Sequence, residues 1–369
     1  MPLRPRAADP WHFPRQELAQ NTFALLEGKL ARALTLFAPR RTGKTEFLLK
    51  DLGPLAEAHG HRVVYASFWQ APLAPLAVLL HALETSLRRG SFADRVRTMA
   101  IAAVPKLKLS GKVPGVSADA EIDLTGLTGK PPANLLLYLD DLLARLSKAS
   151  KPTLLLFDEV QELALSPDNA PLVAALRTSL DKHKDGLATV FTGSSREGLQ
   201  AMFSARQAPF FHFATPIDLP QFDVEFVAHE LTVFAEAGQR SLDRATMLKA
   251  FETLHHSPYH FRGLLEIMLA NPQLATPAAI RLLRDRVAIE MRYPQTWLKL
   301  TPLQRTVALS LARETDKPFS KAAREEIADL LGETAPTIAQ VQTALRRLAS
   351  LGLAMRWQER WSIEDTELR

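Results

Sequence analysis

The chain has no cysteine among its 369 residues, which excludes a disulfide framework, a thiolate zinc site and a cysteine nucleophile. No apolar run approaches the roughly 18 to 20 residues of a membrane span; Leu73 to Leu80 is short and carries Pro75. Arg4 and Arg6 are followed by no apolar h-region, so no secretory signal is expected and a cytoplasmic location is the default. What is present is ordinary for a globular protein: 47% hydrophobic and 23% charged residues, enough chain for two or three domains with their own cores. The net charge of +5 favours polyanionic partners and equally suits a solvated surface.

Against that plain background one segment names a ligand chemistry. Ala38-Pro39-Arg40-Arg41-Thr42-Gly43-Lys44-Thr45 follows the apolar run Ala33 to Phe37 and precedes a helix-like stretch, with Glu46 counted among the binding candidates. That is the strand, loop and helix order of a phosphate-cradling P-loop. Loop N–H groups and the helix N-terminus would point at the β-phosphate, Lys44 would reach the β- and γ-phosphates, and the Thr45 hydroxyl would hold Mg²⁺. The usual first glycine is Ala38, which fits only where its φ need not be positive. Gly-Lys-Thr alone also suits an ordinary polar turn.

A second segment decides between those readings. Thr153-Leu154-Leu155-Leu156-Phe157, introduced by Pro152 and ended by Asp158-Glu159, reads as a buried parallel strand delivering two carboxylates at its C-terminal end. This is a Walker B arrangement: Asp158 would take Mg²⁺ through water, and Glu159 would orient or deprotonate the water that attacks the γ-phosphate. Two separate segments meeting one geometric demand predict ATP and Mg²⁺ as the ligands.

Strand-like segments at Ala33 to Phe37, His61 to Trp69, Thr153 to Phe157 and Leu187 to Thr192 alternate with helix-like ones at Thr45 to Ala58, Leu73 to Leu87 and Ala133 to Leu146. The fold class is therefore α/β, a parallel sheet with helices on both faces over residues 1–220. Ligands of such sheets sit at the carboxyl ends of the strands, where Lys44, Asp158 and Thr192 are expected to meet. Gly193-Ser194-Ser195-Arg196 follows the last strand, so Ser194 or Arg196 is a candidate sensor of the γ-phosphate, although small polar residues also suit any strand-to-helix turn. An insertion over about 91–129 reads as a basic hairpin; from Arg88 to Lys112 the basic residues Arg88, Arg89, Arg95, Arg97, Lys106, Lys108 and Lys112 are opposed only by Asp94. It suits a phosphate backbone, a partner's acidic face or plain solvation, and Phe92 is the one aromatic residue there that could stack on a base.

A mostly helical lid is expected over 221–300. Its crowded histidines, His255, His256 and His260, do not carry metal-ligand spacing, because Pro258 interrupts any helix between them; Pro258 and Arg262 fit better as a lid packing on the nucleotide. Over 301–369, three helix-like stretches and an alternating pair of strands are the elements of a winged-helix domain. Its third helix carries Gln340, Gln342, Thr343, Arg346 and Arg347, and the hairpin adds Arg356, candidate contacts for double-stranded DNA. Many such modules contact only protein, so a protein partner stays open.

Taken in order, Phe13-Pro14-Arg15-Gln16-Glu17, Pro-Arg-Arg-Thr-Gly-Lys-Thr (39–45), Leu-Phe-Asp-Glu-Val-Gln-Glu-Leu (156–163), Phe-Thr-Gly-Ser-Ser (191–195) and the Ser257-Pro258-Tyr259 lid resemble the archaeal-type ATPases. These stand on the STAND and AAA-plus side of the P-loop class, close to origin-recognition and helicase-loader ATPases. The resemblance implies that Arg15 touches the base side of the nucleotide and that Pro258 packs near the adenine. Where relatives often place an arginine soon after the Gly-Ser-Ser helix, this chain reads Ala208-Pro209-Phe210-Phe211-His212-Phe213, leaving Arg206 as the substitute finger in a nucleotide-dependent homo-oligomer. The implied activity is slow ATP hydrolysis driving a switch coupled to DNA or a protein; a nucleotide-stabilised scaffold with incidental hydrolysis is the alternative.

Overall fold

The computed structural model describes residues 9–87, 134–164, 166–203, 208–290, 293–313, 317–357 and 360–363. The basic insertion over 91–129 and Arg206 lie outside the described residues. The chain divides into two compact units, one formed by Pro14–Ala38 and Lys44–Leu219, the other by Met1–Phe13, Pro39–Gly43 and Pro220–Arg369.

The first unit is built on a five-stranded sheet of β1 (Ala33–Phe37), β2 (Arg62–Ser67), β3 (Thr153–Asp158), β4 (Leu187–Gly193) and β5 (Thr215–Asp218). The strand order is β2-β3-β4-β1-β5 and every neighbouring pair is parallel. Alternation along the strands sends side chains to two cores. Leu155 and Phe157 of β3 join Val64, Ala66 and Phe191 on one face, under helices Pro75–Leu87, Leu135–Ser147 and Ala170–Lys182. Leu154 and Leu156 join Leu34, Leu36, Val63 and Val190 on the other, under helix Gln16–Glu27 and the helical stretch after the P-loop. Burial on both faces is why these strands read as continuous apolar runs.

Two details depart from the sequence reading. The stretch after the P-loop is helical from Lys44 to Ala58 but takes a wide π turn over Phe47–Leu52 before Gly53–Ala58. Pro54, just beyond that turn, has no N–H for a regular ladder. The edge strand β5 was not anticipated. It carries Pro216, is largely exposed and has no apolar run, since its place in the sheet comes from pairing with β1.

In the second unit, helices Val224–Gly238, Arg244–Thr253, Pro258–Ala270 and Thr276–Glu290 share a core of Phe226, Phe234, Phe251, Phe261, Leu264 and Met268. Asp223, Asp243 and Ser257 cap the first three of these helices with side-chain oxygens, and Pro258 occupies the first turn, where its missing N–H costs nothing. Trp11 and Phe13 pack against this core. Arg262 and Glu230 form a two-pronged ion pair, with the guanidinium nitrogens 2.9 to 3.2 Å from the carboxylate, and Arg262 also donates to the Trp11 carbonyl. Arg262 therefore ties the N-terminal segment to the helices.

Helices Pro302–Ala312, Lys321–Leu331 and Ile338–Ser350 enclose a separate core of Val307, Leu311, Ile327, Val341, Leu345 and Leu348 with the antiparallel hairpin β6 (Ala354–Trp357) and β7 (Arg360–Ile363). Thr301 with Gln304 and Thr337 with Gln340 form reciprocal capping boxes, and Gly332 and Gly352 supply the left-handed turns that follow two of the helices. Three helices and a hairpin thus occur in this stretch.

Candidate nucleotide site

β4 lies between β1 and β3, so the carboxyl ends of all three open on one edge of the sheet. Lys44 and Thr45 follow the loop after β1, Asp158 ends β3, and Ser194 follows β4. Of the sequence-predicted residues of this unit, Thr45, Asp158, Glu159 and Ser194 are joined by hydrogen bonds. The Thr45 hydroxyl donates to Asp158 Oδ2 at 2.7 Å, while Asp158 itself is 2% exposed.

Asp158 is held from several sides. Oδ2 also accepts from the Tyr65 hydroxyl at 3.0 Å, and Oδ1 accepts from the Glu159 N–H at 3.1 Å and from the Thr192 hydroxyl. Burial, then the neighbouring Asp158 charge and their hydrogen bond, push the Tyr65 phenol far above its ordinary range. Tyr65 is thus a fixed donor. No local signal marks it: it reaches Asp158 because β2 pairs with β3 in a register that sets Ser67 beside Asp158.

Glu159 takes a left-handed backbone conformation, φ +54°, which a bulky residue adopts only under constraint. Its Oε2 accepts from Ser194 N–H at 3.2 Å, from Ser194 Oγ at 2.6 Å and from Gln161 Nε2 at 2.5 Å. Ser194, a candidate γ-phosphate sensor, therefore bonds to the candidate base. Arg196 opens helix Arg196–Phe203; its side chain lies outside the described residues.

Lys44 is buried, its ammonium donating to the Ala38 carbonyl at 2.7 Å. Ala38 stays out of the left-handed region, so the first loop position needs no glycine. The left-handed positions of the loop are Gly43 at φ +92° and Arg41 at φ +64°. Thr42 Oγ1 donates to the Pro39 carbonyl at 2.7 Å and closes the turn. Among the residues grouped with the helical unit, Arg41 Nη1 meets His260 Nε2 at 3.0 Å and its guanidinium stacks 4.5 Å from the Tyr259 ring centre. Arg41 thus accepts a strained backbone and engages the residues that follow Pro258.

The remaining candidates are placed as follows. Arg15 precedes helix Gln16–Glu27 and its N–H donates to Asp51 Oδ2 at 3.2 Å. Burial lowers its guanidinium to about 10, with Asp51 opposing. Glu46 faces Lys50, one helical turn on, at 2.8 Å. Arg346 and Arg347 are exposed on helix Ile338–Ser350, and Arg356 lies on β6 with its side chain outside the described residues. No cluster of three or more His, Cys, Asp or Glu suited to a metal occurs among the described residues, and no described helix is long and apolar enough to cross a membrane.

No family model matches the sequence, and no curated protein matches it. Solved structures do. A Walker-type ATPase of Pyrococcus abyssi is 16% identical, with 99% of this chain and 97% of that chain covered at a TM-score of 0.65. The ORC2 protein of Aeropyrum pernix, in its ADP form, is also 16% identical, with 97% and 92% covered at a TM-score of 0.55. At these identities the likeness establishes the fold: an α/β P-loop fold with a parallel sheet and accompanying helices, over almost the whole chain.

Proposed function

We propose that this chain is a P-loop ATPase that binds ATP with Mg²⁺, hydrolyses it slowly and acts as a nucleotide-dependent switch coupled to DNA or to a protein partner. The observation that carries the proposal is the meeting of Lys44, Thr45, Asp158 and Glu159 at the carboxyl edge of the sheet, with Thr45 Oγ1 2.7 Å from Asp158 Oδ2. Those two hard oxygens suit Mg²⁺, which favours a few protein oxygens completed by water and phosphate over an all-protein cage. Bound there, the ion would neutralise charge on the β- and γ-phosphate oxygens.

The protein's own groups have distinct tasks in this reading. Residues Arg40 to Gly43 and the following helix N-terminus present N–H groups to the phosphates, and the Lys44 ammonium exchanges the Ala38 carbonyl for phosphate oxygens. Arg15 contacts the base side of the nucleotide. Glu159 orients a water whose oxygen forms the new bond to the γ-phosphorus as the bond to the β–γ bridging oxygen breaks. The electron pair leaves on ADP, and the water's proton passes through Glu159 to the phosphate released. Turnover is slow while the γ-phosphoryl charge lacks an arginine finger, for which Arg206 of a neighbouring copy is the candidate.

The second reading is a nucleotide-stabilised DNA-binding scaffold. It is favoured by the solvent-facing side of helix Ile338–Ser350, where Gln340, Gln342, Thr343, Arg346 and Arg347 are exposed. Phosphate release from ATP, measured with and without double-stranded DNA at two salt concentrations for the parent chain and Glu159→Gln, separates the readings. DNA-stimulated release lost in Glu159→Gln supports the coupled ATPase. Tight ATP binding with equal release from both proteins removes hydrolysis and leaves the scaffold.

A further inference from the structure

Gln161 belongs to the short helical turn Val160–Ala164 and is 2% exposed. Its amide nitrogen donates to Glu159 Oε2 and stands 3.5 Å from Ser194 Oγ. An ionised carboxylate only accepts, so the nitrogen is the end of the amide that must face it. Gln161 Oε1 is then turned inward without a hydrogen-bond partner, and an unsatisfied buried acceptor is unfavourable. A residue chosen for stability alone would not leave that oxygen orphaned.

The surroundings are shaped to admit this side chain. A Cβ added to Gly193 would stand 2.5 Å from Gln161 Oε1, and one added to Gly198 would stand 2.5 Å from Gln161 Cβ. Neither glycine has the positive φ that by itself would call for glycine. What they supply is room for the side chain, Gly193 beside its amide oxygen and Gly198 beside its Cβ.

We propose that Gln161 is a positioning residue for ATP hydrolysis, acting with Ser194 to fix the plane of the Glu159 carboxylate. The inference rests on the ATPase reading above. Gln161 Nε2, Ser194 N–H and Ser194 Oγ converge on Oε2, leaving Oε1 as the oxygen that none of these donors engages and that takes the proton of the attacking water. Because Glu159 already sits in a strained backbone conformation, its side-chain direction depends on these partners.

The test is steady-state phosphate release from the full chain for the parent, Gln161→Met, Ser194→Ala, the double variant and Glu159→Gln, with ATP affinity and thermal midpoint measured alongside. Methionine keeps the length and packing of glutamine without its donor. A positioning role predicts that kcat falls about tenfold to a hundredfold in Gln161→Met, with ATP affinity and thermal midpoint unchanged. It also predicts that the loss in the double variant is less than the product of the single losses. Parent turnover abolished by Glu159→Gln yet untouched by Gln161→Met overturns the role of Gln161 alone. A parent that binds ATP and releases no phosphate overturns the hydrolysis reading and the positioning role with it. A fall in thermal midpoint that tracks the fall in kcat also overturns it, reducing Gln161 to packing.

Discussion

The carboxyl edge of the sheet and the outer face of helix Ile338–Ser350 treat polar side chains in opposite ways. At the sheet edge Lys44, Asp158, Gln161, Thr192 and Ser194 are all buried, and hydrogen bonds fix their directions. On the helix, Val341, Ala344, Leu345 and Leu348 face the core while Gln342, Thr343, Arg346 and Arg347 face water. Burying polar groups is unfavourable unless they are paired, so the first arrangement persists only where geometry is specified. The second is inexpensive and specifies little: an exposed arginine serves DNA, an acidic protein or solvent alike. Chemistry can therefore be argued at the sheet edge from position alone, whereas the helix needs a binding experiment.

The largest effect that would break this contrast belongs to Glu159→Gln. The substitution keeps shape and removes the proton acceptor, so phosphate release should drop by up to about ten-thousandfold while ATP still binds. Unchanged release would mean that the buried edge is scaffolding, no more informative than the helix. Next in size is Arg262→Ala in the helical unit. Glu230 is 0% exposed, and removing the guanidinium that grips its carboxylate should cost about 3 kcal/mol, read as a shift in urea midpoint. Glu230→Gln in the same background should recover part of the loss. A shift as small as that of a surface substitution would show that burial of a charge does not by itself signal commitment in this chain.

Much of the contrast was legible in the sequence, and unevenly so. Both motifs of the sheet edge are local: a loop of fixed spacing after one apolar run, and two acids at the end of another. Continuous apolar runs are also why β1, β3 and β4 fall where the sequence put them. β5 was not legible because Thr215-Pro216-Ile217-Asp218 owes its strand conformation to the edge of β1. Tyr65 was missed because only the β2–β3 register brings it to Asp158. The Arg262 ion pair was not legible because its partners, Glu230 and the Trp11 carbonyl, are remote in sequence. The strain at Arg41 and Glu159 carries no compositional signal either, since both stand where their motifs already account for the residue type.

A smaller effect is expected from Arg346→Ala combined with Arg347→Ala. If the helix meets DNA phosphates, binding should weaken about equally for different sequences, and the slope of log affinity against log salt should become shallower by about two. Fold stability and ATP turnover in the absence of DNA should not change, because neither residue contributes to the core. Loss confined to one DNA sequence would mean base-edge contacts, and the helix would then be as specific as the sheet edge.

The smallest effect tests whether a half-exposed polar cluster belongs to the buried class or to the exposed one. Asp140, its side chain 29% exposed, meets Lys182 Nζ at 2.7 Å and His183 Nε2 at 2.9 Å. Burial works to raise its pKa, but hydrogen bonds from Lys182, Ser179 and His183 prevail and hold it down at about 2. Since the folded value lies below the ordinary carboxylate value of about 3.9, the contribution to stability is complete above about pH 4 and disappears as pH falls towards 2. With solvent screening, Asp140→Asn should lower stability by no more than about 1 kcal/mol at neutral pH. The urea midpoints of parent and variant should converge as pH approaches 2. An offset that persists unchanged into acid would assign the loss to hydrogen-bond geometry instead of charge, and would move this cluster into the same class as the Asp158 network.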